Sequence, residues 1–116
     1  MKHINIIYRN DFGIAFYWEK GKVENGLTAQ VVFRDMGFYL TLDELKSFSY
    51  QVAASIAQPN CQNCPNKEDC RSLLLKTPSD KIDLAISRSE LFQLQELLDN
   101  VIIRVDTQKY MTFALN

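Results

Sequence analysis

Residues 36–48 read MGFYLTLDELKSF and carry the signal that decides the fold. Thr41 and Glu44 have the spacing of a capping box, in which the threonine hydroxyl accepts the Glu44 amide and the Glu44 carboxylate accepts the Thr41 amide. Apolar residues then recur at helical spacing: Leu45, Phe48, Val52 and Ile56. The pattern predicts a helix that begins after Thr41, buries one stripe and ends near Gln58, just before Pro59.

Two short strands are predicted immediately before this helix. Residues 28–34 read TAQVVFR and residues 36–41 read MGFYLT, and both are rich in β-branched and aromatic residues. They flank a turn at Arg34 and Asp35. The first half of the chain therefore contains a strand-turn-strand-helix unit.

A second capping box, Ser87-Arg88-Ser89-Glu90, indicates that the same unit occurs again. When Glu90 is aligned with Glu44, the apolar positions of the two helices and of their preceding strands coincide. In the second half these positions are Ile82, Leu84, Ile86, Leu91, Leu94, Leu98 and Ile102. Val101 belongs to the same helical stripe as Leu91, Leu94 and Leu98, and Leu97 and Ile102 widen it. The match predicts a tandem ββα repeat, and the competing interpretation is two strand–helix joints that cap alike by chance.

Two segments of the second unit leave alternatives open. Residues 73–76, LLLK, and a turn at 77–80 would supply its first strand, but residues 66–75 could instead form a short helix capped by Asn66. The last residues, 110–115, form either a final strand or an arm.

A hairpin is predicted at the N-terminus. Residues 3–9 alternate apolar and polar side chains, which is typical of a half-buried strand. Its apolar face would comprise Ile4, Ile6 and Tyr8. Residues 10–13, NDFG, make a turn, residues 14–19, IAFYWE, make the second strand, and residues 20–26 form a polar loop.

The predicted fold class is α+β: a two-layer sandwich with one mostly antiparallel sheet and both helices on one face. The chain is interpreted as a single domain, 1–116. Its parts are an N-terminal hairpin (1–26), a first ββα unit (27–58), a cysteine-containing connection (59–71), and a second ββα unit with the tail (72–116).

The connection contains all three cysteines of the chain, in CQNCPNKEDC, residues 61–70. Thiolates of Cys61, Cys64 and Cys70 could fill three corners of a tetrahedral zinc site. The spacing is also similar to the first three ligands of cysteine-rich iron–sulfur domains found in some radical enzymes, whose fourth cysteine would fall at Leu74. The alternative is a set of free cysteines on a surface turn, with or without one disulfide link.

Composition narrows the class of partner. Thirteen basic and fourteen acidic residues are interspersed, with a net charge of −1, so neither nucleic acid nor an anionic membrane is an expected partner. No apolar run is long enough to span a bilayer. The odd cysteine count fits a reducing compartment, which predicts a cytoplasmic protein.

Aromatic residues supply the second functional signal. Adjacent residues of a strand point to opposite faces, so Phe16, Tyr17 and Trp18 cannot all face one core. An outward aromatic face could stack single-stranded bases, but that needs interleaved basic residues. A dimer interface fits better, because aromatic residues are enriched there. Phe92 lies off the apolar stripe of its helix and is a candidate contact residue.

The segments VVFRDMGFYLTLDELKSF (31–48) and KIDLAISRSELFQLQELLDN (81–100) resemble a family of small uncharacterised Bacteroidota proteins in which a strand and a capped helix occur twice. Members of that family carry a C-x2-C pair in the N-terminal strand region, where this chain reads FYWEKGK. The resemblance implies the duplicated fold and no chemistry.

These observations lead to one main hypothesis and two alternatives. The main hypothesis is a non-enzymatic cytoplasmic domain without a cofactor, which acts through protein contacts and forms a homodimer. The first alternative is a small zinc- or iron–sulfur-binding protein that uses Cys61, Cys64 and Cys70. The second is an enzyme whose site forms between chains; the sequence identifies no catalytic residue.

Overall fold

Six β-strands and two α-helices make up the described part of the chain, which in the computed structural model comprises residues 4–18, 28–58 and 69–115. In chain order they are β1 Ile4–Arg9, β2 Gly13–Trp18, β3 Thr28–Phe33, β4 Met36–Thr41, α1 Leu42–Ile56, β5 Leu73–Lys76, β6 Asp83–Ile86 and α2 Arg88–Leu115. The protein is α+β, as predicted. The expected loop at 20–26 and most of the cysteine-containing connection lie outside the described residues.

The first four strands form an antiparallel sheet in the order β1-β2-β3-β4. The predicted turn between β1 and β2 is confirmed: the Asn10 side-chain oxygen accepts the backbone amides of Phe12 and Gly13 at 2.9 and 3.0 Å. Gly13 is required here, because a Cβ at this position would lie 2.4 Å from the carbonyl oxygen of Val32.

The expectation of one continuous sheet is wrong. In the described residues β5 pairs with β6 in a separate two-stranded sheet. This short hairpin packs against α1 and contributes Leu75, Leu84 and Ile86 to the common core. Side-chain packing therefore buries its apolar face without extending the hydrogen-bond ladder of the larger sheet.

One arginine links the two sheets. Arg34 sits in the two-residue β3–β4 turn with a positive φ of 53°, a backbone region that tight hairpins require and that few non-glycine residues adopt. Its guanidinium donates to the carbonyl oxygen of Ala85 in β6 at 2.9 Å.

The predicted buried face of β1 is wrong for two of its three residues. Ile4 and Ile6 are exposed, whereas Ile7 and Tyr8 pack against the core. The cause is a β-bulge, which shifts the register between Ile6, opposite Phe16, and Tyr8, opposite Ala15. An extra residue in a strand reverses the alternation of side chains beyond it.

Both capping boxes are confirmed. At α1, the Thr41 amide donates to the Glu44 carboxylate at 2.9 Å and the Glu44 amide donates to the Thr41 hydroxyl at 3.2 Å. At α2, the corresponding distances between Ser87 and Glu90 are 3.0 and 3.1 Å. Each box satisfies backbone donors that have no partner inside the helix.

The chain after residue 102 continues α2, which is 28 residues long. The alternative of a final strand at 110–115 is therefore wrong. Residues 88–115 contain neither glycine nor proline, so nothing in the sequence terminates the helix. The alternative of a short helix over 66–75 is also wrong for residues 73–75, because they belong to strand β5.

One hydrophobic core joins both helices to both sheets. As predicted, the helix stripes are buried, and the core cluster comprises Ala15, Ala29, Val31, Phe33, Leu40, Leu42, Leu45, Phe48, Val52, Leu75, Leu84, Ile86, Leu91, Leu94, Leu97, Leu98, Val101 and Val105. Ile82 is an exception, because it lies outside β6 and is exposed. Helix α1 packs on α2, β4 and β5, and α2 packs on β1 and β2. Neither helix combines the length and apolar character needed to cross a membrane over its described residues.

Candidate functional site: the outer face of the four-stranded sheet

The four-stranded sheet has one face on the core and one face turned away from it. Strand register places the following side chains on the second face, which we call the outer sheet face: Ile4, Ile6, Arg9, Ile14, Phe16, Trp18, Gln30, Val32, Tyr39 and Thr41. One continuous row crosses all four strands, because Ile6 pairs with Phe16, Phe16 with Gln30 and Gln30 with Tyr39. Seven of these ten residues are apolar or aromatic, and Arg9, at the end of β1, is the one charged residue among them.

Phe16 and Trp18 form the centre of this face. Their rings meet edge to face with centroids 5.0 Å apart, an arrangement that aromatic quadrupoles favour. Phe16 is buried although it is not part of the core cluster. The indole N–H of Trp18 donates to the Gln30 side-chain oxygen at 3.2 Å, which pairs both polar groups within an apolar surface.

The rim of the face is open. Ile6 is 57% exposed and Tyr39 is 53% exposed, and Ile4 is also exposed. Tyr17, the middle residue of the predicted aromatic run, points instead toward the core. The prediction that part of this run must look outward is therefore confirmed, and Phe16 and Trp18 are the residues that do so.

Apolar and aromatic side chains dominate this surface. Its described polar side chains are the Trp18 indole, the Gln30 amide, the Tyr39 phenol and the Thr41 hydroxyl, and its one charge is Arg9, opposite Ile14 at one end. Contiguous apolar surface of this kind marks sites of protein contact.

Of the three cysteines, the structure describes only Cys70, which is a partly exposed free thiol. Cys61 and Cys64 lie outside the described residues. Within residues 4–18, 28–58 and 69–115, no three histidine, cysteine or acidic side chains group as metal ligands would.

Both described ends of the cysteine-containing connection are held at the first turn of α2. Arg88 donates to the carbonyl oxygen of Ile56 at 2.8 Å and to that of Gln58 at 3.4 Å, where α1 ends. At the other end, Arg71 donates two hydrogen bonds to Glu90, both at 2.9 Å. Gln58 and Arg71, on the two sides of the connection, are therefore both held at the first turn of α2.

Glu90 has two roles in this arrangement, as the capping residue of Ser87 and as the partner of Arg71. Burial acts to raise the pKa of Glu90, but the hydrogen bonds from Arg71 and Ser87 outweigh it and hold the pKa below its ordinary value. The carboxylate is therefore ionised at neutral pH, and Arg34 lies 4.0 Å away on another side of it.

A polar cluster that the sequence does not reveal joins the β1–β2 turn to α2. Glu96 accepts hydrogen bonds from the Tyr8 hydroxyl, from Asn10 at 2.8 Å and from Asn100 at 2.7 Å. Arg104 stacks over the Tyr8 ring, 4.7 Å from its centroid. The hydrogen bond to Glu96 raises the pKa of Tyr8. The hydrogen bonds that Glu96 accepts from Tyr8 and Asn10 lower the pKa of Glu96.

This cluster fixes the hairpin to the helix. Its members satisfy one another, and the groove beside it is shallow and open, lined by Asn10, Asp11, Phe92, Gln93 and Glu96. Phe92 is exposed, as predicted, and Arg88 lies 5.5 Å from its ring centroid. More than 80 residues separate Tyr8 and Asn10 from their partners, so no local sequence signal could have indicated the cluster.

No protein family, curated protein or solved structure matches this chain. The geometry of the chain itself therefore carries the functional argument.

Proposed function

We propose that this protein is a non-enzymatic, cytoplasmic interaction domain that forms a homodimer through its outer sheet face. The observation that carries the proposal is a row of side chains across four strands, from Ile6 through Phe16 and Gln30 to Tyr39, that is uncharged and open at both ends. Burying such a surface against another protein removes apolar area from water and desolvates no charge.

The chemistry of the face favours protein over other partners. Nucleic acid binding needs basic side chains between the aromatic ones, and only Arg9 stands at the margin of this face. A small-molecule site needs a concave pocket, whereas this surface is one side of a sheet. A second copy of the chain is the simplest occupant, because two identical apolar faces suit the self-complementary contact of a two-fold dimer.

Tyr39→Lys tests the proposal. The substitution places a charge in the open part of the face, and we expect it to raise the dimer dissociation constant about tenfold or more. Tyr50→Lys is the matched control, since Tyr50 is an exposed tyrosine on α1, away from the face. Sedimentation velocity over a wide concentration range measures the constant for each variant. A full-length chain that stays monomeric at its highest workable concentration would refute the homodimer.

The anchoring of both ends of the cysteine-containing connection supports a second candidate function, the binding of zinc or an iron–sulfur cluster by Cys61, Cys64 and Cys70. Arg88 and the Arg71–Glu90 pair hold the two ends of this connection at one helical turn. Anchored ends reduce the entropy lost when a loop closes around an ion.

Elemental analysis of protein purified under reducing conditions tests the metal proposal. We expect bound zinc or iron in the parent chain and its loss in Cys64→Ser, because a thiolate ligand is removed. Asn63→Ser introduces the same residue next to the cysteine and should retain the metal. A parent chain that is reduced, folded and free of both metals would contradict this function.

The two proposals share one architecture, which we infer to be a duplicated ββα unit in two layers. Its support is the element order β3-β4-α1-β5-β6-α2, with a complete capping box at the start of each helix. In this arrangement the helices cover one side of the first sheet and leave the other side available for a partner.

A further inference from the structure

Helix α2 extends well beyond the core. Val105 is the last buried residue among those of α2 whose side chains are described, and every described side chain after it is exposed. The α2 extension is defined as residues 106–115, and its described side chains take no part in the core. Tyr110 is 72% exposed and Met111 is 50% exposed.

This extension has the character of an interface rather than of a solvated helix end. Charged residues stop at Lys109, and the sequence then reads YMTFALN. The overall dimensions agree with a projection: the radius of gyration is 15.5 Å, whereas a compact domain of this length has about 13 Å.

The extension leaves the molecule at one end of the outer sheet face. Helix α2 runs antiparallel to β1, because its contacts move from Asn10 at Gln93 and Glu96 to Tyr8 at Arg104. Residues beyond 105 therefore run toward the start of β1, the end at which Ile4 pairs with Trp18. The exposed side chains of Tyr110 and Met111 thus belong to the same end of the molecule as the exposed Ile4.

We propose that the α2 extension of one copy lies across the outer sheet face of a second copy, and that the exchange is reciprocal. The inference rests on the proposed homodimer and names its contact surfaces. The dimensions fit: the extension is about 15 Å long at 1.5 Å per residue, and a face of four six-residue strands is about 20 by 14 Å. A closed two-fold pair covers both surfaces of both chains at once.

Tyr110→Lys in the full-length chain tests this exchange, with Tyr50→Lys as the matched control. The two tyrosines are equally exposed, at 72% each, and both lie on helices. We expect Tyr110→Lys to raise the dimer dissociation constant about tenfold and Tyr50→Lys to leave it unchanged. Thermal unfolding followed by circular dichroism, expected to be the same for both variants, shows that each is folded.

Trp18, the only tryptophan of the chain, reports whether the extension reaches the face. Its emission should shift to shorter wavelength as the parent chain dimerises, since apolar contact replaces water around the indole. Tyr110→Lys should remain at the monomer wavelength at concentrations where Tyr50→Lys has shifted.

The outcomes separate the exchange from the homodimer itself. If Tyr110→Lys dimerises like the control while Tyr39→Lys does not, the outer sheet face is an interface but the exchange is wrong. If Tyr110→Lys breaks the dimer but Trp18 emission never changes with concentration, the extensions pair elsewhere and the exchange is again wrong. A monomeric parent chain refutes both proposals.

Discussion

Glu90 accepts two hydrogen bonds from the guanidinium of Arg71, through Nε and Nη2, each 2.9 Å long. The same carboxylate accepts the Ser87 amide at the start of α2. One side chain therefore begins a helix and holds the end of the preceding connection against it. Its counterpart Glu44 begins α1 by the same geometry, and no arginine pairs with it within residues 4–18, 28–58 and 69–115. The two capping residues thus form a natural comparison.

Glu90→Ala should destabilise the protein more than Glu44→Ala does. Loss of a capping interaction costs about 1 kcal/mol, and this is the expected decrease in the free energy of unfolding for Glu44→Ala. Glu90→Ala loses its cap and also leaves Arg71 without its partner. Urea unfolding of both variants at neutral pH measures the difference, and equal losses would show that the Arg71 contact contributes nothing.

The stabilising effect of Glu90 should depend on pH in a defined direction. The pKa of Glu90 is lower in the folded chain than its ordinary value of 4.5. Its ionised form therefore stabilises the fold fully above pH 4.5, and this contribution is lost as the pH falls through the folded pKa. Glu90→Gln cannot ionise and should be less stable than the parent at pH 7.

The gap between parent and Glu90→Gln should then narrow steadily below pH 4.5. Urea unfolding at a series of pH values tests this, with Glu44→Gln as the control for removing a capping charge. A gap that stays constant from neutral to acidic pH would mean that the Glu90 charge does not stabilise the fold.

Patterns of a few consecutive residues predicted most of the helices, strands and turns. Each capping box needs only four consecutive residues, and Thr41–Glu44 and Ser87–Glu90 were both identified with their helices. The turn at Asn10–Gly13 and the strands around Arg34 depend on equally local preferences. Such features are predictable because their interacting atoms are close in sequence.

Features that depend on distant partners were not predictable. The bulge at Ile7 follows from how β1 meets β2, and it turned Ile4 and Ile6 from expected core residues into the rim of the outer sheet face. The Glu96 cluster joins residues more than 80 positions apart. The sequence likewise could not show that β5 and β6 form a separate sheet. The alternation of side chains within a strand does not specify which other strand will pair with it.

Gly13→Ala should destabilise the fold, whereas Gly37→Ala should have little effect. At Gly13 an added Cβ would lie 2.4 Å from a backbone oxygen, that of Val32, which cannot move without disturbing the sheet. Overpacking of this kind costs about 1–3 kcal/mol. At Gly37 the nearest atom is the end of the Gln30 side chain, 3.0 Å away, which can rotate.

Thermal and urea unfolding of the two alanine variants measure this contrast. We expect no comparable loss of stability for Gly37→Ala. Replacing glycine by alanine restricts the unfolded chain, which stabilises the fold by about 0.4–1 kcal/mol and offsets the cost of a small adjustment of the Gln30 side chain. If Gly13→Ala were as stable as Gly37→Ala, the close approach of β2 to Val32 would be wrong.

Replacing tyrosine by phenylalanine should affect the stability of the fold differently at Tyr17 and at Tyr8. The Tyr17 hydroxyl is buried and has no hydrogen-bond partner in the described parts of the chain, and its burial raises the pKa of Tyr17. Removing an unsatisfied polar group from an apolar environment relieves its desolvation. Tyr17→Phe should therefore leave stability unchanged or increase it by up to about 1 kcal/mol.

Tyr8→Phe should instead lower the melting temperature, because the Tyr8 hydroxyl donates to Glu96 and helps to fix the β1–β2 hairpin on α2. The ring stays in place under Arg104 in both proteins, so the variant isolates the hydroxyl. Differential scanning calorimetry of the two phenylalanine variants gives the comparison directly. A Tyr17→Phe variant that melts as low as Tyr8→Phe would show that the Tyr17 hydroxyl has a stabilising partner, and the packing of β2 against the core would then need revision.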